Sequence, residues 1–126
     1  MIKHNKVICV VDDDPSICKA LSRLIKSAGF KVKTYGSAQE FLYDDHTESS
    51  DLLVLDVHMP GMNGLDLQIH LAALDYGIPI VFITAHEDSI AKTKAMVSGA
   101  VAFFQKPIDE KDLLGAIYKS LNLNNT

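Results

Sequence analysis

Positive charge is in short supply in this chain, where 12 Lys and Arg stand against 16 Asp and Glu for a formal net charge of −4. The summed cationic field that nonspecific nucleic-acid binding needs is lacking, which argues against direct nucleic-acid binding by this segment. Cysteine is scarce too. Cys9 and Cys18 both lie inside apolar segments, with neither metal-ligand spacing nor a disulfide framework around them. They read as small core residues in a reducing compartment. Long hydrophobic runs are also missing: Met1 to Lys6 is short and polar, and Val7 to Val11 is too brief for a signal-peptide core or a membrane span. These absences predict a cytoplasmic protein with no membrane partner. No repeat, linker or low-complexity segment breaks the chain, apart from a polar tail over 122–126. Its 126 residues, 48% of them apolar, suffice for one core and one domain spanning 1–126, ordered over about 6–121.

What the chain does have is a regular succession of short apolar runs and helical patterns. Val7 to Val11, Leu52 to Leu55, Ile80 to Ile83 and Val101 to Phe104 are of strand length and mostly β-branched or aromatic. Such unbroken runs suit parallel strands covered on both faces. Lys31 to Tyr35 alternates polar with apolar or aromatic residues, and its lysines place it at a sheet edge.

Between these runs Ile17, Leu21, Leu24 and Ala28 form one helical stripe, with Asp14 as N-cap, Pro15 in the first turn and Gly29 at the end. Ser37 with Glu40 predicts a capping box, Asp109 a last cap, and Ile108 with Leu113 a hydrophobic staple. Two less regular helices are predicted from Gly64 to Leu74, with Leu67, Leu71 and Leu74 on one face, and from Glu87 to Val97. Five strands alternating with five helices imply an α/β architecture: a single doubly wound (βα)5 domain of the flavodoxin-like kind, with a five-stranded parallel sheet in order 2-1-3-4-5.

In open α/β sheets, ligands bind beyond the carboxyl ends of the strands. Here those ends carry Asp12-Asp13-Asp14, Asp56, Thr84 and Lys106-Pro107. Crowded carboxylates repel one another and raise each other's pKa unless a hard cation such as Mg²⁺ binds them through oxygen. With a metal present, one carboxylate can attack phosphorus while a lysine and a hydroxyl hold the other phosphoryl oxygens. The residue set matches aspartyl-phosphate chemistry.

Over nearly its whole length the chain resembles the response-regulator receiver domains. The resemblance rests on Val10-Val11-Asp12-Asp13-Asp14, on Leu55-Asp56-Val57-His58-Met59-Pro60-Gly61-Met62-Asn63-Gly64, on Ile83-Thr84-Ala85 and on Lys106-Pro107, all in family order. It implies that Asp56 is the phosphoacceptor. Asp12, Asp13, Asp56 and the backbone carbonyl of His58 would hold Mg²⁺ or Mn²⁺, Asp12 mostly through water. Thr84 and Lys106 would contact the phosphoryl group, Thr84 and Phe103 would form the switch, and the Lys106-Pro107 bond would be cis, as it often is in relatives.

A histidine kinase or phosphotransfer protein would be the donor. An output domain or downstream protein would be the receiver of the signal. A phosphorylation-dependent homodimer would use the fourth helix, fifth strand and fifth helix, a face predicted to include Ile90, Lys94, Phe103, Lys106 and Tyr118.

Less specific readings stand beside these. Asp-rich stretches are often helix caps, an aromatic in a strand is usually core, and lone loop histidines such as His58 and His86 are commonly bystanders. The methionines of the loop from Met59 to Gly64 read as packing. A flavin carrier of the same fold would need a neutral phosphate loop where Asp12 to Asp14 stand. A phosphatase of the haloacid dehalogenase type would want an acid two residues after its nucleophile, where this chain has His58.

Overall fold

The computed structural model describes residues 3–44 and 50–123. The elements run β1 (Val7–Val11), α1 (Pro15–Ser27), β2 (Lys31–Tyr35), α2 (Ala38–Tyr43), β3 (Leu52–Asp56), α3 (Gly64–Ala73), β4 (Ile80–Thr84), α4 (Ser89–Val97), β5 (Ala102–Gln105) and α5 (Glu110–Ser120). All neighbouring strands pair in parallel, in the order β2-β1-β3-β4-β5. The predicted architecture is therefore the observed one.

The period-two geometry of a strand divides each central run between two layers. Ile8, Val10, Leu52, Val54, Val81 and Ile83 pack with Cys18, Leu21 and Ile25 of α1 and with Leu113 and Ile117 of α5. On the opposite face, Cys9, Val11, Leu53, Leu55 and Phe82 pack with Phe41 of α2, Leu67 and Leu71 of α3, and Ala91 and Ala95 of α4. Every residue of β3 and β4 is buried, so no polar position interrupts them until their carboxyl ends. The edge strand β2 keeps Lys31 and Thr34 exposed. Both cysteines are free and buried.

Several local details depart from the sequence reading. The core line of α1 runs through Cys18, Leu21 and Ile25, while Ile17, Leu24 and Ala28 flank it, half-buried. β5 begins at Ala102, one residue late, and Val101 is exposed although its amide still donates to the Ile80 carbonyl at 2.9 Å. Leu74 caps the end of α3 and is exposed; buried Gln68 takes the place on the core face and donates to the Ala95 carbonyl at 3.0 Å, tying α3 to α4.

At α2 the Ser37 side chain accepts from the Glu40 amide, but the Glu40 carboxylate turns to the Gly36 amide rather than back to Ser37. The reciprocal box forms at α3 instead, between Asn63 and Asp66. Asp14, Asp88 and Asp109 cap α1, α4 and α5. Ile108 and Leu113 join one apolar cluster, as a staple requires. The Lys106-Pro107 peptide bond is cis. Among the described residues, no helix is long and apolar enough to cross a membrane.

The Asn63 cap satisfies a backbone donor at the start of the helix that follows the third strand end. Asn63→Ala should cost about 1 kcal/mol of unfolding free energy, and Asn63→Ser should recover most of it. Urea denaturation of the three proteins measures this, and equal stabilities for all three would refute the capping role.

Candidate functional site

Parallel register brings the carboxyl ends of the strands to one rim. The Asp12 amide donates to the Tyr35 carbonyl at 3.1 Å, Val57 to Ile83 at 3.0 Å, and Lys106 to Thr84 at 2.7 Å, so the ladder fixes each functional residue through its own or its neighbour's backbone. Asp12 and Asp56 are 1% and 3% exposed, whereas Asp13 is open to solvent. One carboxylate oxygen from each of the three lies within 4.8 Å of the others. The ammonium of Lys106 lies 2.8 Å from Asp12 Oδ2 and 3.6 Å from Asp56 Oδ1. Four of the predicted site residues thus converge.

The group is short of positive charge, with one ammonium facing three carboxylates. Burial first, then the Asp12 carboxylate, pushes the Asp56 carboxyl up to about 7; Lys106 pulls the other way, and Asp13 adds to the rise by charge and by hydrogen bond. Burial works against the Lys106 ammonium, but the carboxylates of Asp12 and Asp56 outweigh it and hold its pKa above the usual lysine value. Asp12 Oδ1 accepts from the Asp14 amide at 2.9 Å. The other oxygen, Oδ2, is buried and faces only the Lys106 ammonium, at 2.8 Å, among the described residues. A buried anionic oxygen in that state, in an all-oxygen cluster open on the Asp13 side, fits a hard divalent cation.

Thr84 is fully buried at the end of β4, and its hydroxyl accepts from the His86 amide at 3.3 Å. It shares a cleft of about 310 Å³ with Phe103, His86, Asp88, Lys92 and Gln105. Phe103 is half-buried, its ring centroid 6.1 Å from that of Phe82. Thr84 and Phe103 therefore line one cleft, with Thr84 at the carboxyl end of the strand next to that of Asp56. The His58 ring points to Asp88, with Nε2 3.2 Å from Oδ2, and lies 6.0 Å from the His86 ring.

Two members of the predicted interaction face lie elsewhere. Lys106 is turned into the acids, and Tyr118 packs on Phe30 and His4 while donating to the Ala28 carbonyl at 3.4 Å. Ile90 and Lys94 are exposed on α4.

Two residues of the site had no role in the sequence reading. Cys18 donates from its thiol to the Asp12 carbonyl at 3.3 Å, beneath the acids, and burial followed by the Asp12 charge raises its pKa. Apolar periodicity marks such a residue as core but not as a backbone donor. Gly64 packs directly on the third strand end: a Cβ there would sit 2.3 Å from the Asp56 carbonyl oxygen, and its amide donates to Val57 at 2.9 Å. The Pro and Gly signals of its loop indicate a turn without indicating this close approach.

Comparison with known proteins gives a consistent picture. The family model for the response regulator receiver domain matches residues 8–118. The response regulator protein TmoT of Ectopseudomonas mendocina is 47% identical over 123 residues, which cover 98% of this chain and 56% of that protein. Nodulation protein W of Bradyrhizobium diazoefficiens is 43% identical over 111 residues, 88% of this chain and 49% of that protein. The chain spans about half the length of the curated relatives it matches. Among solved structures, the response regulator StyR superposes with a TM-score of 0.85 at 46% identity, over 96% of this chain and 61% of that one. FixJ-N superposes at 0.86 with 33% identity, over 94% and 95%.

The raised pKa of Asp56 has a definite sign for stability. The folded carboxyl keeps its proton up to about 7, while the unfolded one loses it near the ordinary value of about 4. The folded state therefore binds more protons across that window, and metal-free stability falls as pH rises through it. Asp56→Asn should raise the metal-free melting midpoint at pH 8, by an amount equivalent to about 1–3 kcal/mol, and the gain should shrink toward pH 5. Thermal melts in chelator across this range test it; a gain that does not vary with pH would refute the electrostatic origin.

Proposed function

The chain belongs to the response-regulator receiver domains of two-component signalling, and from that premise we propose that it accepts a phosphoryl group on Asp56 from a histidine kinase or phosphotransfer protein. The observation that carries this reading is the convergence of Asp12, Asp13, Asp56 and Lys106 at one rim of the sheet. Asp12, Asp13, Asp56 and the His58 backbone carbonyl are the residues that would hold Mg²⁺ or Mn²⁺. The bound cation supplies charge neutralisation for the acids and for the phosphoryl oxygens.

A carboxylate oxygen of Asp56 attacks phosphorus as the bond to the donor's imidazole nitrogen breaks, and the electron pair of that bond leaves with the imidazole. Lys106, freed from part of its pairing with Asp12, moves its charge to a phosphoryl oxygen. Water later attacks the same phosphorus and regenerates the carboxylate and inorganic phosphate. Catalysis is limited to the domain's own phosphorylation and slow dephosphorylation.

The signal leaves through Thr84 and Phe103. A phosphoryl oxygen at Asp56 accepts from the Thr84 hydroxyl, whose oxygen already accepts from the His86 amide, and draws that hydroxyl toward the acids. Movement of Thr84 changes the cleft it shares with Phe103, which biases a two-state equilibrium of α4 and β5. The receiver of that change is an output domain, a downstream protein or a second copy docking through α4, β5 and α5, with Ile90 and Lys94 exposed there.

Incubation with acetyl phosphate and Mg²⁺ should add one phosphoryl group, read by intact mass. Asp56→Asn should abolish it, and Asp13→Asn should also remove most of the rise in melting midpoint that millimolar Mg²⁺ gives. Lys106→Ala should slow phosphorylation about 10²-fold while leaving the acceptor in place. Persistent modification at full stoichiometry in Asp56→Asn would refute the assignment of the acceptor.

A further inference from the structure

A groove on the surface has no part in phosphoryl transfer. It runs between α1 and the edge strand β2 with a volume of about 540 Å³, and Lys19, Arg23 and Lys26 line its α1 wall opposite Thr34. The three cations are exposed, and among the described residues none has an ion-pair partner. They belong to a local excess: seven of the 12 lysines and arginines fall within residues 1–33, with only three of the 16 acids. A chain that is acidic as a whole thus lines this groove with three cations.

The groove reaches the open edge of the sheet at Thr34 and Tyr35 of β2. Lys31 donates to the Lys6 carbonyl and Tyr35 accepts from the Asp12 amide, so the residues at that parity bond toward β1. Alternation turns the backbone groups of Val32 and Thr34 outward, and among the described residues nothing pairs with them on that side. The spacing of the wall suits a strand laid against it. Residues four apart on a helix rise about 6 Å, and side chains two apart on a strand repeat every 6.6 Å or so. Lys19 and Arg23 match that repeat, and Lys26, three residues further and about 4.5 Å on, makes up the difference with its long side chain, so acids at alternate positions of an added strand meet all three.

We propose that the α1–β2 groove is a docking site for an extended acidic peptide segment that adds to β2 as a sixth strand and places alternate carboxylates on Lys19, Arg23 and Lys26. Main-chain pairing supplies affinity and the three cations supply selection. A nucleic-acid backbone is disfavoured because Asp12 and Asp13 close one end of the groove and repel a continuous run of phosphates, whereas a short peptide ends before them.

The test is fluorescence anisotropy with a short labelled peptide of alternating glutamate and threonine. Binding should weaken about tenfold or more in the Lys19→Gln, Arg23→Gln, Lys26→Gln triple variant, should weaken with added salt, and should be unchanged in Asp56→Asn. Versions of the peptide N-methylated at every second residue, in each of the two phases, separate strand addition from simple charge attraction and need no change in the protein. One phase should lose binding. The proposal is overturned if the wild type does not bind, if the triple variant binds as tightly, if neither methylated phase differs from the parent peptide, or if single-stranded DNA of equal charge displaces the peptide at the same concentration.

Discussion

The structure is organised around an electrostatic imbalance: three carboxylates held at the ends of buried strands with a single ammonium among them. Water would dissipate this repulsion easily if the groups were on flexible loops. Here the sheet forbids separation, because Asp12 and Asp56 continue the backbones of β1 and β3, two strands paired in register, and Lys106 is tied to β4 by its own amide. The core cannot relax the site without breaking the ladder, and the imbalance makes the site respond strongly to an added cation or to a change of charge at Asp56. Stability given up at the rim is made good by the strands beneath, whose side chains are apolar on both faces.

The fold was legible in the sequence because its determinants are local and repeated. Unbroken runs as short as Leu52 to Leu55 suit strands covered on both sides, and the alternating Lys31 to Tyr35 suits an edge with a solvated side. The acid and hydroxyl positions were legible for the same reason, since each ends an apolar run, and Lys106 follows the last run after Gln105. Contacts between elements distant in the chain were not legible. Gln68 entered a helix face that reads as leucine to reach Ala95, and Tyr118 turned toward Phe30 and His4. Each depends on where a second element happens to stand, which no periodicity records.

The site and the cleft beside it are joined by backbone more than by side chains. Lys106 reaches the acids from a residue whose amide is bonded to the Thr84 carbonyl, and the Thr84 hydroxyl is in turn bonded to the His86 amide at the start of the segment leading to α4. A chain of three hydrogen bonds and ion pairs therefore connects Asp12 and Asp56 to the entrance of α4. The His58 ring adds a second route, from the loop after β3 to the cap of α4 at Asp88. Both links run from the acid site or its loop toward the amino-terminal end of α4.

The contact between Gly64 and the carbonyl of Asp56 behaves mechanically as a joint without a cushion. Elsewhere a helix rests on the sheet through side chains, whose rotamers can absorb a shift of several tenths of an ångström before the axis moves. At Gly64 there is no intervening atom to yield, since even a methyl carbon would overlap the oxygen. Displacement of the backbone at the third strand end is therefore delivered to the first turn of α3 undamped, and α3 reports the geometry of the acid site as directly as a lever reports its pivot.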